Sequence, residues 1–236
     1  MTGRFTIILL FLFVCSVCLG SKHAQHLFIL SGQSNMQGHR PEEAFTPTVE
    51  KAFGKDRVIV LQDALGGQPI HRWWKEWKDP KGDQMEQTGD LYDRLMSKVK
   101  PAIKGQTLAS VNFVWMQGER DAKMGWGDLY EDALVGLHAQ VANDLQRNPE
   151  EMAFVIGRLS DFDMSNKKYP HWKKVRLAQI KVANSNPKYF WIDTDDLNDG
   201  LNRRGKQITN DLHYSAEGYK RLGKRFAQAC LIAIGK

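Results

Sequence analysis

The sequence predicts a three-layer α/β/α sandwich around a five-stranded parallel sheet. Its short apolar runs are nearly unbroken rather than alternating, which suits strands covered on both faces. Helical periodicities fall between several of those runs, and strands alternating with helices imply right-handed crossovers in one sheet. The 236 residues fit one large domain or two small ones. At 42% hydrophobic and 25% charged, the chain is too apolar for disorder and too polar for a polytopic membrane protein.

The first element is not part of that sheet. Arg4 precedes an apolar run from Phe5 to Leu19, followed by small Gly20 and Ser21, and residues 1–20 read as a secretory signal peptide. The run falls short of the ~20 apolar residues of a spanning helix. The expectation is a secreted or periplasmic protein, one domain over 21–236, with no stable membrane insertion after the leader is removed. Cys15 and Cys18 leave with the leader, so only Cys230 remains and no intramolecular disulfide can form. A chain of this size buries ~70% of its unfolded surface and needs no such staple. The net charge of +6 makes an anionic partner worth considering, while export argues against nucleic acid.

Strands are expected at 26–31, 57–62, 109–116, 152–158 and 189–193. Leu129, Ala133, Leu137, Val141 and Leu145 recur every four residues as one helix, and Val175, Ala178 and Val182 mark another. Tyr219, Leu222, Phe226 and Cys230 line one face of the last helix, with Ser215 as N-cap and Glu217 in the first turn. Residues 63–90 and 159–172 are long connections that follow strands. In such sheets the active site lies at the carboxyl ends of strands, so these connections should border it.

The first strand ends in Ser31-Gly32-Gln33-Ser34-Asn35-Met36. Gly32 permits a tight turn that places Ser34 at a helix start, where it can attack a carbonyl while its own N–H holds the oxyanion. A helix-capping serine is the plainer alternative. The G-x-S-x-G elbow of the α/β-hydrolases is excluded, because Met36 stands where its second glycine would be. Strand two is followed by Ala64-Leu65-Gly66-Gly67-Gln68-Pro69-Ile70, and strand three by Trp115-Met116-Gln117-Gly118-Glu119-Arg120-Asp121-Ala122. Asp211-Leu212-His213-Tyr214 precedes the last helix.

These four blocks, in this order from Gly32 to Gly218, resemble the SGNH hydrolases. Within them the match is to the sialate O-acetylesterase-like and acetylxylan-esterase-like branch (carbohydrate esterase family 6-like). The resemblance implies a flavodoxin-like SGNH fold and a serine esterase that removes O-acetyl groups from carbohydrate. Ser34 would be the nucleophile and His213 the base, and the Ser34 N–H, Gly67 N–H and Gln117 amide would form the oxyanion hole. Gln33, Asn35, Trp73, Glu119 and Arg176 would bind substrate, and no cofactor or metal would be needed. The family usually places an Asp three residues before the His, where this chain has Asn210. Asp211 is favoured to orient the imidazole; Asn210, or a Ser–His dyad, are the alternatives.

His71, Arg72, Trp73, Trp74 and Trp77 could stack on sugar rings or pack the loop onto the domain. Asp161, Asp163, Tyr169, His171 and Trp172 are further pocket candidates, and Arg176 and Gln179 match an R-x-x-Q of the branch. The run from Asp193 to Asp199 lacks EF-hand spacing and reads as a solvated acidic loop. Past the expected leader, neither H-E-x-x-H nor paired-Cys metal spacing is present. A sulfatase is opposed by the missing Arg in Ser185-Asn186-Pro187-Lys188-Tyr189. A non-catalytic carbohydrate-binding protein on the same fold is the remaining rival, motivated by Asn210 and the tryptophan-rich loop. The substrate is expected to be an acetylated glycan, with the positive charge hinting at an acidic one; the oligomeric state is left open.

Overall fold

A computed structural model describes residues 24–236; the leader expected over 1–20 lies outside the described residues. Five parallel strands, β1 (Gln25–Gly32), β2 (Val58–Ala64), β3 (Leu108–Met116), β4 (Ala153–Gly157) and β5 (Tyr189–Ile192), form one sheet in the order β2-β1-β3-β4-β5. The five expected strands are all present, with ends shifted by at most two residues. Leu27, Phe28, Ile29 and Leu30 of central β1 are fully buried, so both sheet faces are covered and no polar alternation survives in the sequence.

Helices α2 (Phe45–Phe53) and α7 (Ala216–Ala233) pack together on one face, with α7 against β4 and β5. On the other face α5 (Tyr130–Asp144) packs on α6 (Trp172–Ala183), and α3 (Asp90–Ile103) lies against β2. The short helices α1 (Ser34–Gly38) and α4 (Glu119–Met124) sit directly after β1 and β3. Ser215 caps α7 as expected, accepting the Gly218 N–H at 3.0 Å. Helices α2 and α3 were not anticipated, although Leu91, Leu95 and Val99 are spaced as a buried helical face.

The tryptophan-rich loop is core. Trp73 and Trp77 are buried, and Trp73 meets Trp115 edge-to-face at 5.2 Å. The acidic run also departs from expectation. Asp193 and Asp195 pair with Arg158, Asp195 also with Arg176, and Asp196 with Arg225, so the segment is an ion-paired seam rather than a solvated loop.

Gly32 is where the fold meets the site. Its φ is +145°, and a Cβ there would lie 2.0 Å from the Met116 carbonyl oxygen. Only glycine lets β1 turn this close to the end of β3. The Gln33 N–H then donates to Met116 O at 3.0 Å, and the Leu65 N–H to Gly32 O at 3.1 Å. The carboxyl ends of β2, β1 and β3 are thereby tied at the point where Ser34 begins α1.

Candidate active site

Ser34 is the first residue of α1, so its backbone N–H has no acceptor within the helix. Its Oγ lies 3.0 Å from Nε2 of His213, on the segment leading into α7. Residues 179 positions apart thus meet at hydrogen-bond distance over the carboxyl edge of the sheet. The Asp211 carboxylate accepts the His213 backbone N–H at 2.9 Å and stands 3.9 Å from the imidazole Nδ1, beyond a direct hydrogen bond. Asn210 faces elsewhere: at φ +42° its side-chain oxygen accepts from Asn198 at 3.2 Å. Of the two residues, Asp211 is the one whose side chain approaches the imidazole.

Gly66 and Gly67 follow β2 and border the same cleft as Ser34 and His213, a cavity of about 260 Å³. The Gly66 N–H donates to Gln37 Oε1 at 3.0 Å, and Arg120 Nε donates to Gly67 O at 2.6 Å. Those two bonds hold the glycine turn against α1 and α4. Gln33 and Glu119 also line the cleft while being almost wholly buried.

Several residues expected at the substrate lie behind it instead. Gln117 is fully buried, and its amide nitrogen is spent on Gln68 O at 3.0 Å, Asp121 Oδ2 at 2.5 Å and Gln33 Oε1 at 3.2 Å. With both N–H bonds turned inward, it supports the cleft from below rather than presenting a donor to it. Asn35 donates to Glu119 Oε1 at 2.9 Å and Leu212 O at 3.0 Å, and accepts from the Tyr219 hydroxyl at 3.1 Å. That leaves no donor for a substrate. Arg176 is buried with its guanidinium on Asp195 and Leu159 O, and Trp73 belongs to the core. Among the later-loop candidates only Tyr169 lines the cleft. Asp163 instead accepts the N–H groups of Lys167, Lys168 and Tyr169, and Trp172 donates to Ser160 O.

Two buried carboxylates stand beneath the cleft. Burial pushes Glu119 up to about 7, opposed by its hydrogen bond from Asn35. Burial likewise pushes Asp121 up to about 7, opposed by the Gln117 amide and the Ile70 N–H. Glu119 Oε2 has no partner among the described residues.

Lys123 and Leu212 also border the cleft. Lys123 was not anticipated, yet it stands four residues after Glu119 on α4, the spacing that puts two side chains on one helical face. Among the described residues no cluster of three or more His, Cys, Asp or Glu side chains could hold a metal ion, and no helix is long and apolar enough to cross a membrane.

A family model described as carbohydrate esterase, sialic acid-specific acetylesterase matches residues 40–232. The chain belongs to that family. The esterase resemblance read from the four blocks is thereby borne out, although the Ser34 block itself precedes the matched residues. Membership in a carbohydrate acetylesterase family favours ester hydrolysis over a purely carbohydrate-binding role.

The fold of this acetylesterase family member recurs in solved structures at low identity. A protein of Arabidopsis thaliana matches at 20% identity and a TM-score of 0.62, over 89% of this chain and 98% of its own. XAC1771, a carbohydrate acetylesterase from Xanthomonas citri, matches at 15% and 0.63, over 89% of this chain and 57% of its own. NanS matches at 12% and 0.60, over 89% and 97%. Comparison with curated protein sequences finds no match.

Proposed function

We propose that this protein is a secreted serine esterase that removes O-acetyl groups from carbohydrate, with Ser34 as nucleophile and His213 as general base. The observation that carries the reading is the 3.0 Å approach of Ser34 Oγ to His213 Nε2 in an open cleft, beside two glycines. His213 takes the Ser34 proton as Oγ attacks the acetyl carbonyl carbon. The backbone N–H groups of Ser34 and Gly67 receive the charge that develops on the carbonyl oxygen. Collapse breaks the ester bond; His213 returns the proton to the departing sugar oxygen, leaving acetyl-Ser34. Water then attacks by the same route, and acetate leaves. Asp211 orients the loop through the His213 N–H and stabilises the imidazolium by charge.

The cleft supports an acidic sugar as substrate. Lys123 and Arg120 border it, and neither makes an ion pair with a carboxylate among the described residues. An anionic group on the glycan would meet both, which gives the basic charge of the chain a local use. Arg4 and the apolar run behind it support delivery outside the cytoplasm.

The test is acetate release from neutral and acidic acetylated glycans by wild type and Ser34→Ala. The reading expects release by wild type, its loss in the variant, and a preference for acidic glycans that declines with added salt. Acetate release by Ser34→Ala at the wild-type rate would overturn the nucleophile.

A further inference from the structure

The amino edge of the sheet carries a second cavity, of about 290 Å³. Its walls include His26 on β1, Ser110 on β3, Lys188 just before β5, and Arg147, Asn148 and Glu151 in the connection from α5 to β4. We propose that this cavity binds one acidic sugar residue, with the carboxylate on Arg147 and Lys188 and the hydroxyls on His26, Asn148 and Glu151. The choice of a sugar rests on the carbohydrate reading above; the site does not depend on the serine mechanism. His26 stands near the start of β1 and Ser34 just past its end, roughly 25 Å apart at ~3.3 Å per residue. One sugar residue therefore cannot occupy both sites.

A polar column in an otherwise apolar sheet builds the floor. His26 and Ser110 are register partners, and Asn112 lies two residues further along the same face of β3. The Asn112 amide donates to Ser110 Oγ at 3.1 Å and to Leu27 O at 3.2 Å. Ser110 Oγ thus accepts from Asn112, and its hydrogen is directed to His26 Nδ1, 2.9 Å away. The imidazole then carries its own hydrogen on Nε2, which has no acceptor among the described residues. Burial, then the charges of Arg57 and Lys236, lower the His26 pKa, so the ring is neutral and presents that single N–H. Asn112 is fully buried, and its Oδ1 has no partner among the described residues. Polar groups placed inside a sheet in this way are costly. The catalytic cleft makes no use of them; what they produce is an oriented donor at the floor of this cavity.

The rim selects the ligand by charge. Arg147 spends one guanidinium nitrogen on Leu108 O at 2.9 Å, and neither it nor Lys188 makes an ion pair among the described residues. Asn148 Oδ1 accepts the Glu150 N–H at 3.1 Å, which leaves its NH₂ without an acceptor among the described residues. Glu151 stands beside both cations and pairs with neither. A bare anion would meet Arg147 and Lys188 but be repelled by Glu151. A neutral sugar would leave both cations unused. An acidic sugar uses all of them, its carboxylate between the cations and its hydroxyls donating to Glu151. The volume lies at the lower end of small-ligand pockets, about 300 Å³, which suits a single residue.

The experiment follows backbone amide signals by NMR during titration with methyl β-D-glucuronide, methyl β-D-glucoside or sodium sulfate. It compares wild type, Ser34→Ala, Lys188→Arg, Lys188→Gln and the double variant Arg147→Gln with Lys188→Gln. Glucuronide is expected to shift the signals of Ser110, Val111 and Asn148 equally in wild type and Ser34→Ala, with glucoside and sulfate binding more weakly. At those signals the double variant should bind glucuronide at least about tenfold more weakly, with p-nitrophenyl acetate hydrolysis unchanged. Lys188→Arg keeps the charge and should bind as wild type does; its contrast with Lys188→Gln carries the test if the double variant does not fold. Absence of shifts at these signals, or undiminished binding by the charge-removing variants, overturns the site. Sulfate binding as tightly as glucuronide overturns the sugar, and glucoside binding as tightly overturns the role of the cations. If wild type releases no acetate yet glucuronide shifts these signals, the esterase reading fails and the site stands. If acetate is released and the signals do not move, the site alone fails.

Discussion

Asn35, the neighbour of Ser34, donates to the carbonyl of Leu212, the neighbour of His213, at 3.0 Å. One buried amide thus ties the loop that carries the serine to the loop that carries the histidine. The same Asn35 is held by Glu119 and Tyr219, so three elements converge on it. Asn35→Ala should lower kcat on p-nitrophenyl acetate by about 10²-fold through a small misplacement of the pair, with KM nearly unchanged. Stability should fall by about 1–3 kcal/mol as buried partners lose their bonds, measured by urea unfolding.

Asp211 and Asn210 have different partners. Asp211 is beside the imidazole and holds its backbone, whereas Asn210 bonds to Asn198 and Asp199 on the opposite side of the turn. Asp211→Ala should therefore slow acetate release far more than Asn210→Ala does. The opposite ranking of the two rates would reject Asp211 as the orienting group.

Glu119 gives stability a definite dependence on pH. Its folded pKa of about 7 lies above the ordinary carboxylate value of 4.5, so the folded state holds a proton that the unfolded chain releases across that window. Stability from this group is highest below 4.5 and declines as pH rises to about 7. Glu119→Gln removes the ionisation, so its melting midpoint relative to wild type should be higher at neutral pH than at acid pH. An unchanged difference across that range would contradict the burial of this carboxyl.

Three buried histidines act in the opposite sense. Burial lowers His39, His71 and His138 from 6.5 to about 4. The unfolded chain takes up their protons first, so their contribution is complete above 6.5 and is lost as pH falls toward 4. Neither ring nitrogen of His39 has a partner among the described residues. In His39→Leu the melting midpoint should decline less steeply on acidification than in wild type.

Gly32 and Trp73 separate architecture from chemistry. Gly32→Ala sets a Cβ against the Met116 carbonyl at a positive φ, and should prevent accumulation of folded protein. Trp73→Ala should cost about 3–5 kcal/mol by emptying the core beside Trp115. Any folded Trp73 variant should keep its KM for small esters, because the indole does not border the cleft.

The sheet was legible because its strands are buried on both faces, which leaves continuous apolar runs such as Leu27 to Leu30. The meeting of Ser34 with His213 was legible from block order, since each block follows a strand or precedes the last helix. What the sequence could not show was which neighbour each polar side chain would find. Gln117 and Arg176 have the residue types of a binding site, but their donors are used by Gln68, Asp121, Asp195 and Leu159. Trp73 reads equally as a sugar platform or as core until Trp115 is seen against it. The acidic run could not be told from a solvated loop because Arg158, Arg176 and Arg225 are distant in sequence.

The central claim is that Ser34 carries the acetyl group and His213 moves its proton. Mass spectrometry of the protein quenched during turnover of p-nitrophenyl acetate tests it most directly. The account predicts a single acetyl adduct on the peptide containing Ser34, lost in Ser34→Ala and formed much more slowly in His213→Ala. Turnover at the wild-type rate by Ser34→Ala, or an acetyl adduct on another side chain that forms and decays at the turnover rate, would contradict it.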